Sequence, residues 1–238
     1  MSVSPYKEYK PAGTQWINSV PLHWRVEKLK FVASNNSSNV DKHSFEDEIP
    51  VRLCNYTDVY YNEFITDDLD FMEATATDQE IERFRLVPGD VIITKDSESW
   101  DDIAIPALVS EPLNNVLCGY HLSHIRPNEE HIVGRYLYWL LCSQTINRQF
   151  QVSANGVTRF GLPKYHIDNA ILLVPPIEEQ HAIADFLEEK TKDFDSTVMR
   201  IGGAKALDVA SEDSWIGLIR KYKSALVTAA TTGQIRVA

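Results

Sequence analysis

The sequence predicts a mixed α/β domain, of the α+β kind, followed by a long C-terminal helical spacer of coiled-coil type. Short β-branched or alternating stretches, separated by turn residues, run from Arg25 to Ile125. Apolar residues at helical spacing begin only after Pro127. A second and longer helical pattern opens at Val174-Pro175-Pro176-Ile177-Glu178-Glu179-Gln180. These patterns divide the chain into a domain over 1–175 and an arm over 176–238.

Gly13-Thr14-Gln15-Trp16-Ile17 can start a short helix, and Val20-Pro21-Leu22-His23-Trp24 reads as extended chain before a strand from Arg25 to Val32. The run Ser34-Asn35-Asn36-Ser37-Ser38-Asn39 is a polar breaker. Ile49 to Tyr61 reads as β, and Asp78 to Arg83 as a short helix. Pro88-Gly89-Asp90 turns the chain into the strand Val91-Ile92-Ile93-Thr94. Further strands follow at Ile103 to Val109 and Val116 to Ile125. Val133, Leu137, Leu140 and Leu141 then mark a helix, which Ile146 and Phe150 continue at an offset. It ends before Asn155-Gly156, where glycine accepts positive φ. A loop from Val157 to Lys164 leads to the last strand, Ala170 to Val174.

The arm starts on proline, which suits a first helical turn because the N–H it lacks has no intrahelical partner. Glu178 and Glu179 sit where the helix dipole favours negative charge. Ile183, Leu187, Phe194, Val198 and Ile201 form an apolar stripe. Gly202-Gly203 weakens the helix, and a second stripe follows through Trp215, Leu218, Ile219, Tyr222 and Leu226 until Gly233. Unbroken, residues 177–232 would span roughly 84 Å. That length exceeds what the domain can bury. The stripe therefore meets another helix, by folding back or in another chain.

Composition is that of a globular protein, 44% hydrophobic and 24% charged. There is no apolar run of spanning length and no apolar signal core after Met1, so the expectation is a cytoplasmic protein off the membrane. Three widely spaced cysteines, Cys54, Cys118 and Cys142, do not make a disulfide framework. The net charge of −11 speaks against DNA, but it is segregated. Residues 41–112 hold 5 Lys and Arg against 19 Asp and Glu, whereas 131–167 hold four basic residues and no acid. One face can be basic while another is a solvated acidic surface.

Enzyme signatures are missing. The chain has no Walker-type loop and no Gly-x-Gly-x-x-Gly after a strand. Val174-Pro175-Pro176 lacks both the Asn or Asp and the Tyr of an amino-methyltransferase motif. Asp90, Asp96 and Glu98 near Lys95 do not give a nuclease spacing. Cys118, His121 and His124 include metal-ligating types, but on a strand His121 faces away from the other two. The informative window is Asn155-Gly156-Val157-Thr158-Arg159-Phe160-Gly161-Leu162-Pro163-Lys164. It offers Asn and Arg for base edges, with Thr, Lys and backbone N–H groups for phosphates. The alternative is an ordinary polar loop. Thr94-Lys95-Asp96-Ser97-Glu98-Ser99-Trp100 is a second, more acidic candidate.

Read as an ordered series, the segments resemble one half of a type I restriction-modification specificity subunit. The series is Gly13-Thr14-Gln15-Trp16-Ile17, Val20-Pro21-Leu22-His23-Trp24, Leu86-Val87-Pro88-Gly89-Asp90-Val91-Ile92-Ile93-Thr94-Lys95 and Gly119-Tyr120-His121-Leu122. It continues through Gly156-Val157-Thr158-Arg159, Pro175-Pro176-Ile177-Glu178-Glu179-Gln180, Lys223-Ser224-Ala225-Leu226-Val227 and Thr232-Gly233-Gln234-Ile235. The Pro-Pro-x-Glu-Glu-Gln helix start coupled to a closing Thr-Gly-x-Ile is the most specific element.

The resemblance implies a non-catalytic, half-size subunit with a single target-recognition domain for half of a bipartite site in double-stranded DNA. Asn155, Thr158 and Arg159 fall in the family's Gly-x-Thr-Arg loop, and Lys164, Lys95 and Ser97 join them as candidate DNA contacts. Ile183, Leu187, Phe194, Val198, Ile201, Trp215, Leu218, Tyr222 and Leu226 become a surface for a homodimer and for methyltransferase (modification) subunits, with a restriction subunit in the full complex. No cofactor is expected in this chain; S-adenosylmethionine, ATP and Mg²⁺ belong to the partner subunits. The alternative is a truncated or regulatory module that binds the methyltransferase without reading DNA. The stretch Gly202 to Ser214 is longer and more polar than a compact spacer of the family.

Overall fold

A computed structural model describes residues 4–202 and 215–237 of the chain. It is a mixed α/β structure with a helical C-terminus, as the patterns above require. Strands β1 (Tyr9–Pro11) and β2 (Ser19–Pro21) pair antiparallel. The short helix expected over 13–17 does not form, because the Thr14 hydroxyl takes the Ile17 N–H at 3.0 Å and closes a side-chain turn instead. Strand β3 (Arg25–Lys28) stops four residues short of the expected Val32. A single helical turn, α1 (Leu29–Val32), follows, burying Leu29 and Val32 on one face.

The polar run after it is not a breaker. It forms β4 (Ala33–Ser37), whose Asn35 amide donates to Asp168 at 2.9 Å while its carbonyl accepts the Ser123 hydroxyl at 2.6 Å. Strand β5 (Ile49–Cys54) likewise ends early, and α2 (Tyr56–Tyr61) begins where the Asp58 carboxylate accepts the Asn55 N–H at 2.7 Å. Then come β6 (Phe64–Ile65), β7 (Met72–Ala76) and α3 (Asp78–Phe84), the last capped reciprocally by Thr77 and Glu80. Next are β8 (Val91–Thr94), β9 (Asp96–Ser97), β10 (Pro106–Val109), β11 (Val116–Cys118) and β12 (Leu122–Pro127).

The helix read from 133 to 150 is two helices, α4 (Gly134–Cys142) and α5 (Gln144–Gln151), because Ser143 takes extended backbone angles between them. The offset of Ile146 and Phe150 from the earlier stripe is the trace of that break. Strands β13 (Asn155–Gly156) and β14 (Phe160–Gly161), helix α6 (Lys164–Asp168) and β15 (Ile171–Val174) complete the region before the arm. The arm consists of α7 (Ile177–Gly202) and α8 (Trp215–Thr231).

The central sheet has the order β4-β12-β8-β10-β6, antiparallel except for the β10–β6 pair. It separates two apolar cores. Along β8 successive side chains alternate faces, so Val91 and Ile93 enter the core that holds Trp24, Tyr136 and Leu137, while Ile92 enters the other. That second core lies toward the small sheet β11-β5-β7, with Leu53, Phe84 and Leu117. A strand buried on both sides reads as the unbroken apolar run seen in the sequence.

Strand β15 pairs antiparallel with β3, and α7 leaves directly from it. Ile183 and Leu187 are fully buried in the Trp24 core, so the first turns of the arm belong to the packing of the domain. Helices α7 and α8 pack on each other and on α4. Phe194 meets Tyr222 edge to face at 5.4 Å. The chain end returns to its beginning: the Tyr9 hydroxyl donates to the Gly233 carbonyl at 3.0 Å and the Arg236 N–H to the Ser4 carbonyl at 2.6 Å. Of the two arrangements open for the arm, its helices take the folded-back one within this chain. The side chains of Val198 and Ile201, and the stretch 203–214, lie outside the described residues. No helix among the described residues is long and apolar enough to cross a membrane.

Candidate nucleic-acid interface

The two polar segments singled out in the sequence, 94–100 and 155–164, meet in space. Strands β13 and β14 form a hairpin, and β14 pairs with β9, matching Phe160 to Ser97 and Gly161 to Asp96. The hairpin tip is Val157-Thr158-Arg159, all exposed, with Val157 92% exposed. Gly156 makes the tip possible, since a Cβ there would lie 1.9 Å from the Arg159 carbonyl oxygen. Asn155 is exposed beside it, its amide donating to the Ser153 carbonyl at 3.2 Å.

Behind the tip lies a charged cluster. Asp96 receives the Lys95 ammonium at 3.0 Å and the His121 imidazole Nδ1 at 2.7 Å. Burial alone would raise the Asp96 pKa; the hydrogen bonds from His121 and Lys95 outweigh it and hold the carboxyl below its usual range. Arg159 Nη2 lies 3.3 Å from His121 Nδ1 and 3.5 Å from Nε2. The Lys95 ammonium also sits 5.2 Å from the centre of the Tyr120 ring, which stacks obliquely on His121. Trp100 and Tyr120 are both exposed, and a groove of about 520 Å³ runs from Tyr120 and His121 past Tyr56 to Lys42 and His43.

The remaining candidates are committed elsewhere. Lys164 donates to both carboxylate oxygens of Asp168 at 2.9 Å and to the Asn35 carbonyl, tying α6 to β4. Ser97 is buried, accepting the Ser99 N–H at 3.2 Å. On the arm, Ile183 and Leu187 face inward, Leu226 is half-buried, and Trp215, Leu218 and Tyr222 are exposed.

Cys118, His121 and His124 do not converge. The strand expected to carry them breaks at Gly119, and each side chain has its own surroundings: Cys118 is buried, His121 turns to Asp96 and His124 to Asp90. No group of three metal-ligating side chains occurs among the described residues. Asp90 is not poised beside Lys95 either. It is buried, paired bidentately with Arg126 at 2.8 Å and touched by His124 Nε2 at 2.8 Å. Burial pushes the thiols of Cys54, Cys118 and Cys142 up, leaving them weakly nucleophilic.

Residues not foreseen as functional hold the arm in place. Gln180 is fully buried, its carbonyl accepting the Val133 N–H at 2.8 Å and its amide donating to the His131 and Pro175 carbonyls at 3.0 and 2.9 Å. Arg135, from the acid-free window, clamps Glu188 through two 2.7 Å hydrogen bonds and reaches Asp185 at 2.7 Å. Their signal in the sequence was only the Glu-Glu-Gln run and an isolated arginine.

The fold is that of solved specificity subunits. The chain superposes on the HsdS subunit from Thermoanaerobacter tengcongensis with a TM-score of 0.53 at 15% identity, covering 94% of this chain and 48% of that one. A chain from a solved type I R-M system, described for its complex assembly and conformational transition, matches with a TM-score of 0.58 at 15% identity, covering 94% and 49%. This chain therefore spans about half the length of either. Its residues 28–198 match the type I restriction modification DNA specificity domain, and the chain belongs to that family, a non-catalytic class. Comparison with curated proteins finds no match.

Proposed function

We propose that this chain is the specificity subunit of a type I restriction-modification complex and that it reads one half of a bipartite DNA target. The observation that carries the reading is the joining of segments 94–100 and 155–164 into one sheet that ends in the exposed Val157-Thr158-Arg159 tip. Arginine is the side chain best suited to a bidentate contact with guanine, and Asn155 and Thr158 flank it. The hairpin of α7 and α8 acts as spacer and docking surface for methyltransferase subunits, and through them for a restriction subunit. S-adenosylmethionine, ATP and Mg²⁺ are then used by those subunits, in the cytoplasm. A second copy of the chain supplies the second half-site, docked on the exposed Trp215 and Leu218 face of α8.

Methylome mapping after co-expression with the cognate methyltransferase tests this. A split palindromic motif is the expected result, because two copies related by a two-fold read the same half-site in opposite orientation. An asymmetric split motif would demand a different second recognition subunit. No recurring motif would overturn the reading.

One observation favours a second reading. Lys95 and Lys164 are both neutralised by carboxylates, which weakens the phosphate-binding potential of this face. In that reading the chain occupies the methyltransferase without productive DNA contact, and Arg159→Ala and Lys164→Ala change neither DNA affinity nor methylation.

A further inference from the structure

His121 occupies an unusual backbone position. Its φ is +70°, in the left-handed region that side-chain-bearing residues other than Asn, Asp and His seldom enter. The surroundings enforce it. Gly119 N–H bonds the Cys54 carbonyl at 2.8 Å, Tyr120 N–H the Val40 carbonyl at 2.8 Å, and the His121 carbonyl accepts the Lys95 N–H at 3.1 Å. Gly119 is itself obligatory, since a Cβ there would lie 2.6 Å from the Cys54 carbonyl oxygen. Three consecutive residues are thus pinned to three different segments. The result is that one imidazole stands between Asp96 and Arg159.

The chemistry of that imidazole is determined by its neighbours. A carboxylate only accepts, so the 2.7 Å contact to Asp96 requires Nδ1 to carry a proton. Arg159 Nη2 is nearly equidistant from the two ring nitrogens, 3.3 Å from Nδ1 and 3.5 Å from Nε2, so the guanidinium lies against the imidazole ring and not along the lone pair of Nε2. Asp96 thereby fixes the orientation of the ring on which the Arg159 guanidinium rests, in the way an orienting carboxylate acts on other functional imidazoles. Lys95 and Tyr120 close the other sides of the cluster.

Resting on the assignment of Arg159 to DNA, we propose that His121 is a positioning residue for base reading: the Asp96–His121–Arg159 chain holds the guanidinium at the hairpin tip in one orientation, so that it discriminates between bases instead of acting as a mobile cation. Strained backbone retained by several independent contacts is the usual accompaniment of such a role.

The test uses the purified full chain and selection from a pool of duplexes with a randomised centre, followed by sequencing. His121→Gly relieves the backbone while removing the imidazole, and His121→Asn suits the same φ and keeps a planar polar group beside the guanidinium. The expected result is that Arg159→Ala and His121→Gly flatten the same base position by roughly fivefold to a hundredfold in preference, that the double variant is no worse than Arg159→Ala, and that His121→Asn restores part of the preference. Thermal stability of His121→Gly stays at or above that of the parent. A motif unchanged in His121→Gly but flattened in Arg159→Ala overturns the proposal and leaves the DNA reading standing. A motif unchanged in Arg159→Ala overturns the assignment of that arginine, and this inference with it.

Discussion

Glu179 accepts the indole Nε1–H of Trp24 at 3.2 Å, from the first turn of α7 to the start of β3. The same carboxylate takes the Tyr6 hydroxyl and lies 2.8 Å from His23 Nε2. One residue further on, Gln180 secures the loop ahead of α4. The arm's first turn is therefore a knot between three distant parts of the chain. Gln180→Ala leaves the Val133 N–H and two carbonyls without partners in a fully buried site. The expected loss is about 2–3 kcal/mol in urea denaturation, at an unchanged m-value. A loss below about 0.5 kcal/mol would mean that water replaces the side chain.

Acid stability depends on Asp90. Burial would raise its pKa, but the hydrogen bonds from Arg126 and His124 prevail and hold the folded-state value below the usual carboxylate range. With the folded pKa depressed, its stabilisation is fully present above the unfolded value of about 3.9 and is lost as pH falls through the folded value. Asp90→Asn is expected to cost about 3 kcal/mol at pH 7 and to flatten the steep acid limb of the stability profile. Unfolding followed from pH 7 to pH 2 in both proteins checks this; parallel acid limbs would contradict it.

Much of this fold was readable where burial is symmetric and local. Val91 to Thr94 and Ile171 to Val174 are strands because both faces of each are covered, which leaves uninterrupted apolar runs between turns. The run from Ser34 reads as a breaker although it forms a strand, because the partners of its buried Asn35, Ser123 and Asp168, lie far away in sequence. The interface was half legible for the same reason. Each loop advertises itself through Thr, Lys and Arg, but their joining depends on the β9–β14 pairing, and His121, which the strand pattern separates from Cys118 and His124, gives no sign in the sequence of the turn that places it beside Asp96. The helix-dipole explanation of Glu179 was local, whereas its observed partners are Tyr6, His23 and Trp24.

The hairpin depends on a glycine at one position. A Cβ on residue 156 would overlap the Arg159 carbonyl, so Gly156→Ala must open the tip. Because the tip is exposed and the residues around it carry little of the core, the global cost should stay near 1–2 kcal/mol. Sequence preference in DNA binding should fall to that of Arg159→Ala. Circular dichroism and a salt titration of binding separate the two effects. The salt slope should change by no more than the single charge at Arg159, as a displaced base-reader predicts and general unfolding does not.

Whether two copies pair through the arm is decided on the outer face of α8. Trp215 and Leu218 lie at positions i and i+3 on one side of the helix and are exposed, Trp215 at 76%, whereas Tyr222 one turn further on rests its ring edge to face with Phe194 of α7. Their exposure persists although α7 and α8 already cover each other, so the apolar area left over is available to a second molecule. Trp215→Asp combined with Leu218→Asp places two like charges on that face. The chain itself loses little, because exposed substitutions usually shift stability by about 0.5 kcal/mol or less. In light scattering the parent should run as a dimer and the double variant as a monomer, with the split palindrome vanishing from the methylome alongside the dimer. A parent that is monomeric at micromolar concentration while still directing palindromic methylation would show that the two half-site readers are held together by the methyltransferase subunits and not by this helix.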